Sequence, residues 1–235
     1  MIASIKKEVL RRGITRLCHF TPSRNLAHIA SGKEGILATK RLERDERGIF
    51  TKTDLERFDG YTDHICCSIE YPNAWYFEKA RSKDPLFKDW VVLFIDPKYL
   101  WLSGTHFCPR NAAANYGRSV LNGESGFLAL FADSISGAGG RTFHRSSAHL
   151  LCCPTDDQAE VLIPDRIAKS DILAIGVKTE TQAKNETARL RLLNLLEDSF
   201  QFVIATDLFN KRVLSQLIRS GKRPKETPWI SGGKS

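Results

Sequence analysis

The stretch Cys18-His19-Phe20-Thr21-Pro22-Ser23-Arg24-Asn25-Leu26 admits few local folds. It reads as a strand that delivers His19 straight into the N-terminus of a helix. Thr21 suits the N-cap, Pro22 the first helical position, where its missing N–H is no loss, and Gly32 a left-handed helix end. Unpaired backbone N–H groups at a helix start point outward, so a histidine beside one suits a ligand with phosphate and sugar groups. A second segment, Gln158-Ala159-Glu160-Val161-Leu162-Ile163, places an acid on a short apolar strand, where a carboxylate is costly unless it serves something. Together they imply a sugar–phosphate ligand held at one end and chemistry at the other.

The rest of the chain alternates short strands and helices without repeats, low-complexity blocks or linkers, which predicts one α+β domain over residues 1–235. A basic amphipathic helix over Ser4–Arg12 ends at Gly13, and a strand follows from Ile14 to Phe20. The helix from Pro22 reaches Ser31. Residues 38–62 are strongly charged and aperiodic, as in a solvated loop or flap. Strands are predicted over His64–Ile69, Trp90–Ile95, Ala159–Ile163, Ile172–Val177 and Phe202–Ala205, each an apolar run of strand length. A helix after Pro72-Asn73 carries Trp75, Tyr76 and Phe77. The stretch 103–124 reads equally as helix or loop, and Phe127–Phe131 as a helix end. Three glycines within Gly137–Gly140 disfavour regular structure, so Ser134–Arg141 reads as loop. Thr179 and Gln182 form a capping box for a helix to about Leu196 with Leu190, Leu193 and Leu196 facing the core. A last helix spans Leu208–Arg219, and the basic tail from Gly221 reads as disordered at its end.

At 235 residues a core forms without disulfide help. A formal charge of +8 favours an anionic partner, nucleic acid ahead of a membrane surface. No apolar run approaches the roughly 20 residues that span a bilayer, and no secretory signal is visible at the start, so a cytoplasmic protein is expected. The six cysteines include the doublets Cys66-Cys67 and Cys152-Cys153 but no C-x-x-C pair. Adjacent strand residues face opposite sides, so each doublet offers a shared site one ligand at most. They read as buried reduced thiols, with zinc the lesser alternative and no metal expected. Phosphate-binding loops of the Walker and dinucleotide kinds are missing, as are H-E-x-x-H and G-x-S-x-G.

Four blocks nonetheless resemble a known family in order. They are His19-Phe20-Thr21 with Asn25-Leu26, Leu55-Glu56-Arg57-Phe58-Asp59-Gly60, Ser68-Ile69-Glu70-Tyr71-Pro72-Asn73 with Trp75-Tyr76-Phe77, and Gln158-Ala159-Glu160-Val161-Leu162. The resemblance is to the DarT family, DNA ADP-ribosyltransferase toxins of toxin–antitoxin pairs, and it spans residues 14 to about 178. It implies an ADP-ribosyltransferase-like split β-sheet core flanked by helices, with NAD as co-substrate. It further implies transfer of ADP-ribose to a base in single-stranded DNA, release of nicotinamide, and a macrodomain antitoxin of the DarG kind as partner. The serine-plus-proline-asparagine form of the third block looks more like the guanine-directed branch than the thymine-directed one.

Residue roles follow from the same resemblance. Glu160 is the implied catalytic carboxylate, since cleaving the nicotinamide–ribose bond builds an oxocarbenium-like transition state that a carboxylate offsets. It would also take a proton from the attacking base nitrogen. Arg57 would bind the pyrophosphate or the developing charge; otherwise it is one solvated arginine among many. His19 would hold the adenosine-side ribose. Thr21 and Asn25 read either as cofactor contacts or as capping and packing residues. Tyr71, Trp75 and Tyr76 suit stacking on nicotinamide or a base, while Trp75 and Phe77 equally suit the core. The loop 134–148 carries Arg141, His144 and Arg145, suited to contacts with single-stranded DNA. The alternatives are an RNA- or protein-directed transferase and a non-catalytic nucleic-acid-binding module.

Overall fold

The computed structural model describes residues 2–31, 34–44, 58–83, 87–137, 140–195 and 200–230. In chain order the strands are β1 (Leu17–Pro22), β2 (Ile36–Leu37), β3 (His64–Ile69), β4 (Trp90–Ile95), β5 (His106–Cys108), β6 (Leu121–Asn122), β7 (Ser134–Ser136), β8 (Thr142–His144), β9 (Glu160–Pro164), β10 (Arg166–Ile167), β11 (Ile172–Val177), β12 (Phe202–Ile204) and β13 (Thr227–Pro228). The helices are α1 (Ile2–Arg12), α2 (Leu26–Ser31), α3 (Thr39–Arg44), α4 (Ala74–Lys83), α5 (Gly123–Ala129), α6 (Glu180–Leu192) and α7 (Lys211–Arg219). Nine strands form one sheet in the order β13-β12-β11-β4-β1-β3-β9-β5-β6. Every residue of β4 is buried, as an uninterrupted apolar run requires when both faces of a strand are covered.

The sheet is split at its middle. β1 pairs with β4 along its whole length, from Leu17↔Ile95 to Pro22↔Trp90. With β3 it shares only Leu17↔Ile69 and Cys18↔Ser68 before the two strands diverge. β3 instead continues along β9, and β9 along β5. The mixed α and β content, flanking helices and divided sheet bear out the expected fold class. Among the described residues no helix is long and apolar enough to cross a membrane, and no cluster of three histidine, cysteine, aspartate or glutamate side chains is placed to hold a metal ion.

Several local expectations change. β1 runs on through Thr21 and Pro22, because the residue before a proline is pushed toward extended backbone and Pro22 itself sits at φ −55, ψ 137. A single 3₁₀ turn over Ser23–Asn25 intervenes before α2, and Pro22, which offers no side-chain cap, occupies the N-cap. Thr21 therefore does not cap the helix; its hydroxyl accepts from Asn25 Nδ2 at 2.9 Å. Gly32 lies outside the described residues. Part of the charged stretch, Thr39–Arg44, is helical, and residues 45–57 lie outside the described residues. Ser134–Ser136 and Thr142–His144 form a β-hairpin rather than loop, its strands joined through Ile135↔Phe143. α6 starts where the cap predicts, Gln182 N–H donating to Thr179 Oγ1, but it ends at Leu192; of the expected stripe Leu190 is in the core, Leu193 is half exposed, and Leu196 lies outside the described residues. Up to Ile230 the tail is built into the fold: β13 pairs with β12, and Glu226 pairs with Arg16.

Candidate active site

Where β1 and β3 diverge, a cleft opens that encloses about 1080 Å³ of space, the solvent at its mouth included. Its walls mix apolar side chains, Ile29, Ile36 and Leu42 among them, with polar groups from both halves of the sheet. His19, Thr21, Asn25, Tyr76 and Glu160 all line it. These residues are far apart in sequence; the split sheet brings them together.

His19 lies on β1 just past its last pair with β3. Its Nδ1 lies 2.9 Å from the Cys66 carbonyl, so Nδ1–H donates across the gap, and in the neutral ring Nε2 is then an acceptor. Glu160 opens β9 and is buried, 7% exposed. Its Oε1 accepts from Asn111 Nδ2 at 3.0 Å and its Oε2 from the Ala112 backbone N–H at 2.9 Å. β5 runs antiparallel to β9 with Cys108 opposite Glu160, which carries the following turn over the carboxylate. The Asn111 Oδ1 accepts from Ala114 N–H, so this asparagine caps the turn Ala112–Asn115 with one end and orients Glu160 with the other. The turn closes against Asp59: a Cβ on Gly117, at φ +74, would lie 2.3 Å from the Asp59 carbonyl.

Asp59, buried and also lining the cleft, accepts from Tyr61 N–H through Oδ1. From β3, the Ser68 hydroxyl accepts from Asn73 N–H at 3.1 Å, and Asn73 Oδ1 accepts from Tyr76 N–H at 3.0 Å, capping α4. Phe77 is fully buried and stacks on Phe20 at 4.6 Å, whereas Trp75 lies on the outside under Lys211. So Tyr76 alone of this aromatic run faces the cleft.

Four of the expected contacts, Tyr71, Arg141, His144 and Arg145, do not line the cleft. Tyr71 is buried beside Glu70, with Arg16 over its ring at 5.3 Å and Arg223 near its hydroxyl, and burial pushes its phenol well up. Arg145 is spent on the main chain: its guanidinium donates to the carbonyls of Cys153 at 2.7 Å and Leu150 at 2.8 Å. Arg141 and His144 stay exposed on the hairpin, and Arg110 ties that hairpin to the site by donating to the Ser136 carbonyl. Arg57 lies outside the described residues. Asn111, Asn73 and Asp59 were not among the expected site residues. Asn73 had a legible signal, an asparagine before a helical aromatic run; Asn111 sits in the stretch whose structure was open, where nothing in sequence links it to Glu160.

A family model described as "ssDNA thymidine ADP-ribosyltransferase, DarT" matches residues 18–201. A comparison with curated proteins gives no match. Among solved structures, Thermus sp. 2.9 DarT in complex with NAD+ is similar at a TM-score of 0.55 and 15% identity, covering 83% of this chain and 97% of that one. Thermosipho africanus DarTG in complex with ADP-ribose is similar at 0.55 and 12%, covering 83% of this chain and 51% of that one. Thermus sp. 2.9 DarT in complex with ADP-ribosylated ssDNA is similar at 0.52 and 14%, covering 84% and 97%. At such identities the likeness is one of fold.

Proposed function

The chain belongs to the DarT family, and from that premise we propose that it transfers ADP-ribose from NAD to a base of single-stranded DNA and releases nicotinamide. The observation that carries this reading is Glu160, buried and aimed by Asn111 and Ala112 into a cleft whose other side presents His19. NAD fits such a lining: apolar walls for its rings, and acceptors at the two ends for its ribose hydroxyls. His19 Nε2 accepts from the adenosine-side ribose, its ring held by Cys66. Glu160 accepts from the nicotinamide-side ribose and offsets the positive charge that grows as the C1′–N bond to nicotinamide breaks. A base nitrogen then bonds to C1′, and its proton passes to Glu160. Arg57 belongs to this proposal as the cation for the pyrophosphate. Tyr76 would stack in the cleft, and Thr21 with Asn25 would hold its wall.

The exposed Arg141 and His144 on the hairpin beside Arg110 serve the DNA strand, which an unpaired base enters without the cost of extrusion. The serine-plus-proline-asparagine block is the ground for guanine as acceptor, whereas the matched family model is described for thymidine. The region 1–235 acts as one catalytic domain in the cytoplasm, as a toxin whose mark a DarG-like macrodomain antitoxin removes. The test is incubation with NAD and single-stranded oligonucleotides that each lack one base, read by intact mass. One ADP-ribose added, lost only without guanine and abolished in Glu160→Ala, is the expected result. Loss only without thymine overturns the choice of base. No adduct on any DNA from folded, NAD-binding protein overturns the DNA acceptor in favour of RNA or protein.

A further inference from the structure

Asn73 is 2% exposed and lines the cleft, yet among the described residues its Nδ2 has no hydrogen-bond partner. Its orientation is settled by the other end of the amide. Oδ1 accepts from Tyr76 N–H at the start of α4, so Nδ2 is the end that remains. The Asn73 backbone is anchored as well, its N–H donating to Ser68 Oγ. A buried N–H without an acceptor is costly, and helix capping requires only the oxygen of this residue. The nitrogen is therefore unexplained by the fold and fits a ligand that brings an acceptor.

Its place in the sheet identifies which part of the ligand. β3 pairs antiparallel with β9 up to Cys67↔Val161, and one step further brings Ser68 level with Glu160. Ser68, which pairs with Cys18 on β1 and lies level with Glu160 on β9, holds Asn73, so the orphan amide sits on the wall beside Glu160, where the reading above places the breaking glycosidic bond. Acceptors at that end are ribose oxygens and the carboxamide carbonyl of nicotinamide. Ribose hydroxyls also donate, and Glu160 suits them. A neutral amide NH2 matches a neutral carbonyl, whereas a charged pyrophosphate calls for cations. Resting on the proposed use of NAD, the geometry points to Asn73 as the residue that recognises the nicotinamide carboxamide, its Nδ2–H donating to the carboxamide oxygen. It positions the leaving group and discriminates NAD from ligands that lack nicotinamide.

Asn73→Asp isolates this role. Aspartate caps a helix as well as asparagine, so Tyr76 N–H keeps its acceptor, while an oxygen replaces the N–H that faces the carbonyl. The affinity for carba-NAD should fall by about tenfold or more, that for ADP-ribose should be unchanged, and the melting temperature should fall, because the new carboxylate is buried without a second donor. Asn73→Ser, which keeps a cap and removes the amide, should show the same selective loss. Unchanged carba-NAD affinity in both variants would overturn the proposal, as would an equal loss for ADP-ribose. Wild-type protein that binds neither ligand would sink the reading of function, and this proposal with it.

Discussion

Glu160 shows how much of a catalytic side chain's behaviour is decided by a neighbour. A carboxylate buried at the start of an apolar strand needs donors, and Asn111 Nδ2 and Ala112 N–H supply them in fixed directions. Removing one donor leaves the carboxylate able to swing, and a displacement of about 1 Å at a reacting group costs up to roughly a hundredfold in rate. Asn111→Ala should therefore lower kcat for ADP-ribose transfer by about tenfold to a hundredfold, with the affinity for NAD little changed. Single-turnover assays beside equilibrium binding would check this; an unaltered kcat would show that Ala112 alone orients Glu160.

Among elements, the end of β3 and the C-terminal tail are coupled through one buried acid. Glu70 turns the chain at φ 65, 1% exposed, and accepts from Thr15 N–H, from Thr15 Oγ1 and from Arg223 at 2.9 Å. That turn sends the chain from β3 into Pro72-Asn73, so the tail braces a wall of the cleft. The exposed Arg223 gains little by itself, but Glu70 without it is a buried charge short of a cation. Arg223→Met should destabilise the fold by about 1–3 kcal/mol, less than a fully buried pair because the arginine is half solvated. Urea unfolding would measure it. Pairing the change with Glu70→Gln should recover most of the loss; if it does not, the tail is held by β13 and Arg16–Glu226 instead.

For the whole molecule, two buried groups near the loop that leads into β9 each make stability vary with pH. Burial, with Asp157 adding to it, pushes Asp156 from 3.8 up to about 6. Burial, helped by the nearby Arg145, lowers His149 from 6.5 to about 4. Asp156 resists its charge only when folded, so its penalty is absent below pH 3.8, grows from there to about 6, and persists above. His149 acts in the other direction: its penalty is absent above pH 6.5 and grows as pH falls toward 4. Asp156→Asn keeps the acceptor for Gln158 N–H and deletes the charge. It should raise stability by about 3 kcal/mol near pH 7.5 and leave it nearly unchanged near pH 4. Thermal melts at the two pH values decide it; a gain at both, or at neither, would mean that the Asp156 charge is accommodated in the native fold.

Local signals in this chain were strong where a segment carries its own reason for its shape. The runs His64–Ile69, Trp90–Ile95 and Ile172–Val177 are strands at the predicted bounds, because uninterrupted apolar residues of that length fit a covered sheet. Thr179 caps α6 as its side chain dictates. Signals failed where a partner distant in sequence outweighed local preference. Pairing with β4 drew Thr21 and Pro22 into β1 and left Thr21 no helix to cap. Cross-strand pairing made Ser134–Ser136 and Thr142–His144 a hairpin despite the glycines between them. Sequence placed His19, Thr21, Asn25, Tyr76 and Glu160 among the candidates, through the order of four short blocks. Only the tertiary structure showed that the divergence of β1 from β3 puts them in one cleft, that Asn111 and Asn73 share it, and that Tyr71 and Arg145 face elsewhere. The physical reason is that residue type and spacing encode local geometry, whereas which side chain meets Glu160 depends on strand register, and register is a property of the assembled sheet.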